Sequence, residues 1–231
     1  MAGETGLNII KDGLIFYYDA SNTKSLVSGS STMYDLSKKG AVGTLINTPT
    51  YKSENGGSLF FDFTNESVDI PNSTNLTTNE RITVMITFKP ALVTAYQSMI
   101  SKKYLGDSGW EIGNNSGGFM RVSLRPSAVS NTFNDVGNIS ISPLVVDQWY
   151  IGAFTYESGS VKLYYKGNLV GTTPASASID NTGILHLGKR ADGLNTNYTS
   201  GSIANALIYN RVLSAEEIKQ NYNTISSRFN L

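Results

Sequence analysis

Gly201-Ser202-Ile203-Ala204-Asn205-Ala206-Leu207-Ile208-Tyr209-Asn210-Arg211-Val212-Leu213-Ser214-Ala215-Glu216-Glu217-Ile218 joins two elements of opposite character without a break. From Ile203 to Tyr209 the residues are uncharged and mostly small or apolar, as in a strand at the centre of a packed sheet. Ser214 then opens a helix. Its hydroxyl is placed to accept a hydrogen bond from the first-turn backbone, and Glu217, three residues on, reaches back to the Ser214 amide. Leu213 and Ile218 stand at the two staple positions around that cap.

Upstream, strand-like runs recur with turn residues between them, at 14–19, 43–46, 58–63, 67–70, 82–89, 98–102, 110–113, 119–124, 138–142, 149–156, 161–165, 169–171, 184–188 and 202–209. Many short strands at this spacing predict a sandwich. In 82–89, Ile82, Val84, Ile86 and Phe88 form one apolar face with Thr83, Thr87 and Lys89 largely opposite, so a half-buried strand is expected. Lys162 to Gly171 predicts a hairpin in which Gly167 supplies the positive φ of a tight turn. No Pro/Ser-rich linker or charge run interrupts the pattern. One domain over 13–231 is therefore expected, behind a short arm over 1–12 where Gly3, Gly6 and Asp12-Gly13 break regular structure.

The 18 basic and 18 acidic residues cancel, and no Lys/Arg cluster makes the field that a phosphate backbone demands, so nucleic acid is not expected as a partner. With no cysteine, nothing depends on disulfides or thiolate metal sites. No window approaches the ~20 apolar residues of a membrane span, so no membrane insertion is expected. Charged residues make up only 16% of a chain rich in Gly, Ser, Thr and Asn, a usage that favours sheets and turns over helices.

Four stretches together resemble laminin G-like, concanavalin A-like domains. They are Asp12-Gly13-Leu14-Ile15-Phe16-Tyr17-Tyr18-Asp19-Ala20-Ser21-Asn22, Tyr34-Asp35-Leu36-Ser37-Lys38-Lys39-Gly40, Gly56-Gly57-Ser58-Leu59-Phe60-Phe61-Asp62 and the strand-to-helix segment quoted first. Gln148-Trp149-Tyr150 and the hairpin after it fall where this family places a tryptophan-led strand and hairpin. The resemblance implies an all-β fold, a two-sheet antiparallel jelly-roll sandwich with one short C-terminal helix. The opening Ile9-Ile10-Lys11-Asp12-Gly13-Leu14, with Gln220-Asn221-Tyr222-Asn223 and Ser227-Arg228-Phe229-Asn230-Leu231, is similar to a subgroup found in structural proteins of tailed phages. That implies display on a virion surface after assembly in the host cytoplasm, as a capsid decoration, head fibre or tail component.

Glycoside hydrolysis needs two carboxyl groups flanking the scissile bond, roughly 5 to 9.5 Å apart. Glucanases of this fold place them on one strand at alternating positions, and no Asp or Glu pair sits at i and i+2 in any predicted strand here. The only histidine, His186, lies between leucines in a strand-like run, which points to a structural role rather than a catalytic triad. No catalytic residue is expected. Related domains often hold one calcium ion. Asp19, Asn22 and Asp35 are the oxygen donors this resemblance nominates, and the alternative is that they cap turns. Many relatives carry Asp where this chain has Ala204, so the expectation is that no cofactor is held.

Glycan recognition uses aromatic faces to stack on sugar C–H groups, and amides or carboxylates to fix hydroxyls. Two predicted loops hold that mixture and supply the candidate carbohydrate-binding residues: Tyr104, Asp107 and Trp110 in the first, Arg190, Asp192, Asn195, Asn197 and Tyr198 in the second. Trp110 and Trp149 also read as core residues. The functional expectation is a non-enzymatic virion structural protein displaying a lectin-like domain, attached to capsid or tail proteins as a homo-oligomer, with host-surface glycan as a further partner. The alternative is a free carbohydrate-binding lectin module, and behind it a glycoside hydrolase.

Overall fold

The computed structural model describes residues 8–78, 80–102, 109–125, 134–157, 159–175, 179, 182–191 and 196–231. The first six strands are β1 (Leu14–Asp19), β2 (Thr32–Tyr34), β3 (Val42–Ile46), β4 (Thr50–Lys52), β5 (Ser58–Asp62) and β6 (Ser67–Ile70). Then come β7 (Arg81–Pro90), β8 (Gln97–Lys102), β9 (Gly109–Asn114), β10 (Met120–Arg125), β11 (Asn134–Asn138) and β12 (Tyr150–Glu157). The last six are β13 (Gly159–Tyr165), β14 (Asn168–Ala175), β15 (Leu185–Leu187), β16 (Lys189–Ala191), β17 (Thr196–Tyr198) and β18 (Ser200–Tyr209), followed by the helix α1 (Ala215–Ser226).

Two antiparallel sheets face each other. One runs β14-β13-β12-β7-β18-β5-β4, with β1 also paired to β18. The other runs β11-β10-β9-β8-β15-β6-β3-β2, and β16–β17 forms a separate hairpin. Their inner faces share one apolar core that includes Phe16, Phe61, Val84, Phe88, Ile112, Phe154 and Ile203. A third layer covers the outer face of the first sheet. There Met85, Ile151, Ala204, Leu207 and Tyr209 pack against Ile218, Tyr222, Ile225 and Phe229 of α1 and its tail.

That layer changes the reading of β7. Its threonine face is not half-exposed: Thr83 and Thr87 are fully buried under the helical layer. The hydroxyls satisfy themselves locally. Thr83 Oγ1 donates to the Arg211 carbonyl at 2.8 Å and accepts from the Leu213 amide at 2.9 Å, while Thr87 Oγ1 donates to Asn205 Oδ1 at 2.9 Å. Residues 8–12 join the same layer. Gln220 donates to the Asn8 carbonyl at 2.8 Å, the Ile10 amide to Asn221 Oδ1 at 2.9 Å and the Tyr209 hydroxyl to the Ile10 carbonyl at 2.9 Å.

Other boundaries shift. The strand expected at 138–142 lies earlier, at Asn134–Asn138, because the Ile139 and Ser140 amides both turn back onto the Met120 carbonyl and Ile139 enters the core. The segment 190–198, expected as a loop, contributes both strands of the β16–β17 hairpin. The β13–β14 hairpin forms as expected, and its turn uses positive φ at Lys166 (51°) as well as Gly167 (73°). A Cβ on Gly167 would sit 2.8 Å from Tyr222 Cβ, so glycine also lets the turn touch the helix.

The cap read from the sequence forms in full. Ser214 Oγ accepts from the Glu217 amide at 3.2 Å and Glu217 Oε2 from the Ser214 amide at 2.8 Å, with Leu213 and Ile218 buried beside them. Arg211 adds a two-pronged clamp on Glu217, at 2.8 and 2.6 Å. These bonds hold the Glu217 carboxyl below its ordinary range, the Arg211 hydrogen bonds first among the causes. The stability contributed is therefore present at neutral pH and lost as pH falls below the usual carboxylate range. Ser214→Ala should lower unfolding free energy by about 1 kcal/mol, measured by chemical denaturation, and Glu217→Gln should flatten the acid limb of the stability-against-pH curve.

Candidate functional site

The outer face of the second sheet carries a polar row. Directly opposed residues of antiparallel strands share a face, and the register aligns Thr32 with Thr44, Thr44 with Asp69, Asp69 with His186, His186 with Ser101, Ser101 with Glu111 and Glu111 with Ser123. In the backbone register Asp135 of β11 stands opposite Ser123. Most members alternate with core residues, as Glu111 does between Trp110 and Ile112. That alternation was present in the sequence but spread over strands whose pairing order it does not state.

Glu111 and Asp69 of the row are held by neighbouring side chains. Glu111, 0% exposed, takes Arg121 at 2.8 Å and Arg190 at 3.5 Å. Asp69 accepts from Ser67 Oγ at 2.7 Å and Lys189 Nζ at 2.9 Å, and lies 3.0 Å from His186 Nδ1. Burial works to raise the Asp69 carboxyl, but the hydrogen bonds from His186, Lys189 and Ser67 together outweigh it and hold the group well below its usual range. Asp69, His186 and Ser101 thus stand side by side in the order of a catalytic triad. Ser101 Oγ, however, donates to the Lys189 carbonyl at 2.9 Å, and both Ser101 and His186 are buried.

The expected carbohydrate residues divide. Tyr104, Asp107, Asp192 and Asn195 lie outside the described residues. Trp110 is 1% exposed and packs edge-to-face on Phe154 at 5.9 Å, so β9 turns its ring into the core and away from any sugar. Arg190 is turned onto Glu111 and buried rather than presented to solvent. Asn197 and Tyr198 are half-buried on β17, paired with Arg190 and Lys189. The hairpin brings Arg190, Asn197 and Tyr198 together, but as neighbours in its own ladder.

The nominated calcium donors do not converge. Asn22 Oδ1 accepts from the Lys24 amide at 2.9 Å, within its own turn. Asp35 accepts from the Tyr17 and Ser37 amides, both at 2.8 Å, from Ser37 Oγ at 2.5 Å and from the Lys39 amide at 3.2 Å, pinning β1 to the turn after β2. Asp19 Oδ1 takes the Arg228 guanidinium at 2.6 Å. A calcium site needs six to eight oxygens free to face the ion. These three residues do not fit it.

A cleft of about 490 Å³ opens where β12 begins and β13 ends. Trp149, Tyr150, Tyr165 and Phe229 line it, together with the polar residues Ser142, Asp147, Gln148 and Lys166. The aromatic wall is fixed. Tyr150 and Tyr165 stack at 6.4 Å, Trp149 and Phe229 meet at 4.5 Å, and Trp149 Nε1 donates to Asn55 Oδ1 at 3.0 Å. The Tyr150 hydroxyl accepts from the Val145 amide at 2.7 Å, tying the loop before β12 to the wall. Burial, then Tyr150 and Tyr222, pushes the Tyr165 phenol up, so it stays neutral and able to donate. Two other clefts, of about 480 and 350 Å³, are lined by no aromatic residue and by Tyr51 alone. Trp149 was read as core, and it is buried; its second role at the cleft depends on Phe229, eighty positions away in the chain.

Solved structures of the same shape are numerous. Domain 4 of AbnA, a GH43 extracellular arabinanase from Geobacillus stearothermophilus solved with arabinotriose, is 15% identical with a TM-score of 0.69, over 90% of this chain and 98% of that one. The botulinum neurotoxin type G receptor-binding domain is 14% identical at 0.67, over 91% of this chain and 51% of that one. A botulinum neurotoxin type C structure, whose toxin's cell entry depends on two ganglioside molecules, is 17% identical at 0.69, over 94% and 52%. The chain spans about half the length of each toxin binding domain, and at these identities the likeness fixes the fold alone. No curated protein matches the chain in sequence. Residues 62–219 match the family model described as the Concanavalin A-like lectin/glucanases superfamily. With that match over more than half its length, and a two-sheet antiparallel sandwich closed by one C-terminal helix, the chain belongs to the concanavalin A-like lectin/glucanase superfamily.

Proposed function

We propose that this domain binds glycan without cleaving it, and that the cleft between β12, β13 and the C-terminal tail is its binding site. The observation that carries this reading is the fixed aromatic wall of Tyr150, Tyr165, Trp149 and Phe229 beside Gln148, Asp147 and Lys166. Apolar ring faces with a few convergent polar groups, in a volume of this size, are the usual makeup of a small-ligand site. The arabinotriose bound to the arabinanase domain and the ganglioside dependence of the neurotoxin add support by analogy of fold.

A non-catalytic role is supported by the polar row. Glu111 is flanked in register by Ser101 and Ser123, and on the β8 side the nearest in-register carboxylate, Asp69, lies three strands away. On that side three strand spacings make about 14 Å, beyond the separation that either glycosidase geometry uses. The setting we propose is a virion surface, with capsid or tail proteins as partners of a homo-oligomer. Its support is the similarity of the opening and closing segments to tailed-phage structural proteins.

On a glycan array the isolated domain should bind a defined set of sugars, and Tyr165→Ala should weaken that binding about tenfold, the equivalent of ~1.4 kcal/mol, while circular dichroism stays unchanged. Absence of binding, or binding indifferent to Tyr165, removes the cleft from the account. Incubation with bound polysaccharide should release no reducing sugar. Mass spectrometry of purified particles should find the chain at fixed stoichiometry; its absence there would favour the free lectin.

A further inference from the structure

Arg228 lies in the 3-10 turn Ser227–Phe229 that follows α1, and its guanidinium sits among four oxygens from two distant parts of the chain. Nη1 donates to Asp19 Oδ1 at 2.6 Å and to Ser21 Oγ at 3.0 Å. Nη2 donates to the Gly57 carbonyl at 2.7 Å, and Nε to the Asn55 carbonyl at 2.5 Å. The acceptors are one carboxylate, one hydroxyl and two backbone carbonyls.

This cage is constructed rather than incidental. Asn55 is held in the left-handed region (φ 49°, ψ 37°), and its side chain bonds the Arg228 carbonyl at 3.2 Å and Trp149 Nε1 at 3.0 Å. Gly57 has φ 134°, and a Cβ there would lie 2.6 Å from the Ala20 carbonyl oxygen, so only glycine lets its carbonyl stand beside Asp19 and Ser21. The second Asp19 oxygen accepts from the Tyr17 hydroxyl at 3.1 Å. The Phe229 ring lies 4.7 Å from the guanidinium carbon.

Carboxylate, hydroxyl and carbonyl oxygens are the ligand set of a hard divalent cation, which takes them at about 2.3–2.6 Å. A guanidinium is also a cation, but its planar fork reaches several acceptors from one tether. Arg228 supplies a single positive charge to a cage whose one charged member is Asp19, so the pair is neutral without an added ion. Removing the guanidinium would leave one half-buried carboxylate and two carbonyls aimed at a vacated centre, the condition in which a cation is drawn in.

We infer that Arg228 is a tethered cation standing in the place of a metal ion: with it, the domain is independent of divalent cations, and without it the four oxygens of Asp19, Ser21, Asn55 and Gly57, with water completing the shell, take a calcium-class ion. The inference rests on the cage alone and stands apart from the glycan reading.

The test compares the natural chain with Arg228→Ala and Arg228→Gln by thermal melting in chelator, in millimolar calcium and in magnesium as control. Terbium emission sensitised through the nearby Tyr17 and Tyr51 provides the second readout. The natural chain should melt at one temperature in all three media and give no sensitised emission. Both variants should melt lower in chelator, regain several degrees in calcium by selective binding to the folded state, and light up with terbium. A variant that folds only when refolded in calcium counts for the inference. A calcium-dependent rise in the natural chain overturns it, as does calcium indifference of both variants or failure of both to fold in either medium.

Discussion

β18 carries no charged residue, and from Gly201 to Tyr209 every position is buried, so neither face of this ten-residue strand can meet water. Its neighbour β7 is in the same position along most of its length. Two apolar faces need two covers. The second sheet provides one, and α1 with its tail must provide the other, because a strand pair left open on one side would expose Met85, Leu207 and Tyr209 at a cost of roughly 1.5–3 kcal/mol for each large apolar side chain. Much of the remaining architecture follows from this demand: the clamp of Arg211 on Glu217, the docking of residues 8–12 on the helix, and the return of the tail across Asn55.

The tail then builds the candidate site. Arg228 is locked by Asp19, Ser21, Asn55 and Gly57, Asn55 holds Trp149, and Phe229 packs on Trp149 at 4.5 Å. Two walls of the aromatic cleft are therefore fixed by the contacts that seat the helical layer. The opposite surface behaves differently. The polar row of the second sheet is rich in charge, yet Glu111 and Asp69 are answered by arginine, lysine, histidine and serine within the row or from the β16–β17 hairpin. On one face Glu111 and Asp69 are held in ion pairs, and the cleft on the other side is lined by aromatic rings.

The strand-to-helix segment was legible because its determinants are local. A capping box links residues three apart and a staple residues five apart, and alternation shows within a single strand, so the Ser214 cap, the β13–β14 hairpin and most strands needed no knowledge of neighbours. Thr83 and Thr87 misled because a hydroxyl can face either water or a buried acceptor; Arg211 and Asn205, the acceptors, lie more than a hundred residues away. Trp110 and Arg190 carried the right chemistry for sugar, but their direction is set by strand parity and by the Glu111 partner across the sheet.

By itself the sequence determined the class of fold, the hairpin turn and the capped helix, since each is specified by short-range hydrogen bonding and by the spacing of apolar residues. Only the tertiary structure decided which face of each strand is covered, that Asp19 meets Arg228 rather than Asn22 and Asp35, and that Trp149, Tyr165 and Phe229 share one cleft. The physical reason is separation along the chain. Groups dozens to two hundred residues apart are brought within hydrogen-bonding distance by burial of the sheets between them, and nothing local in the chain records which will meet.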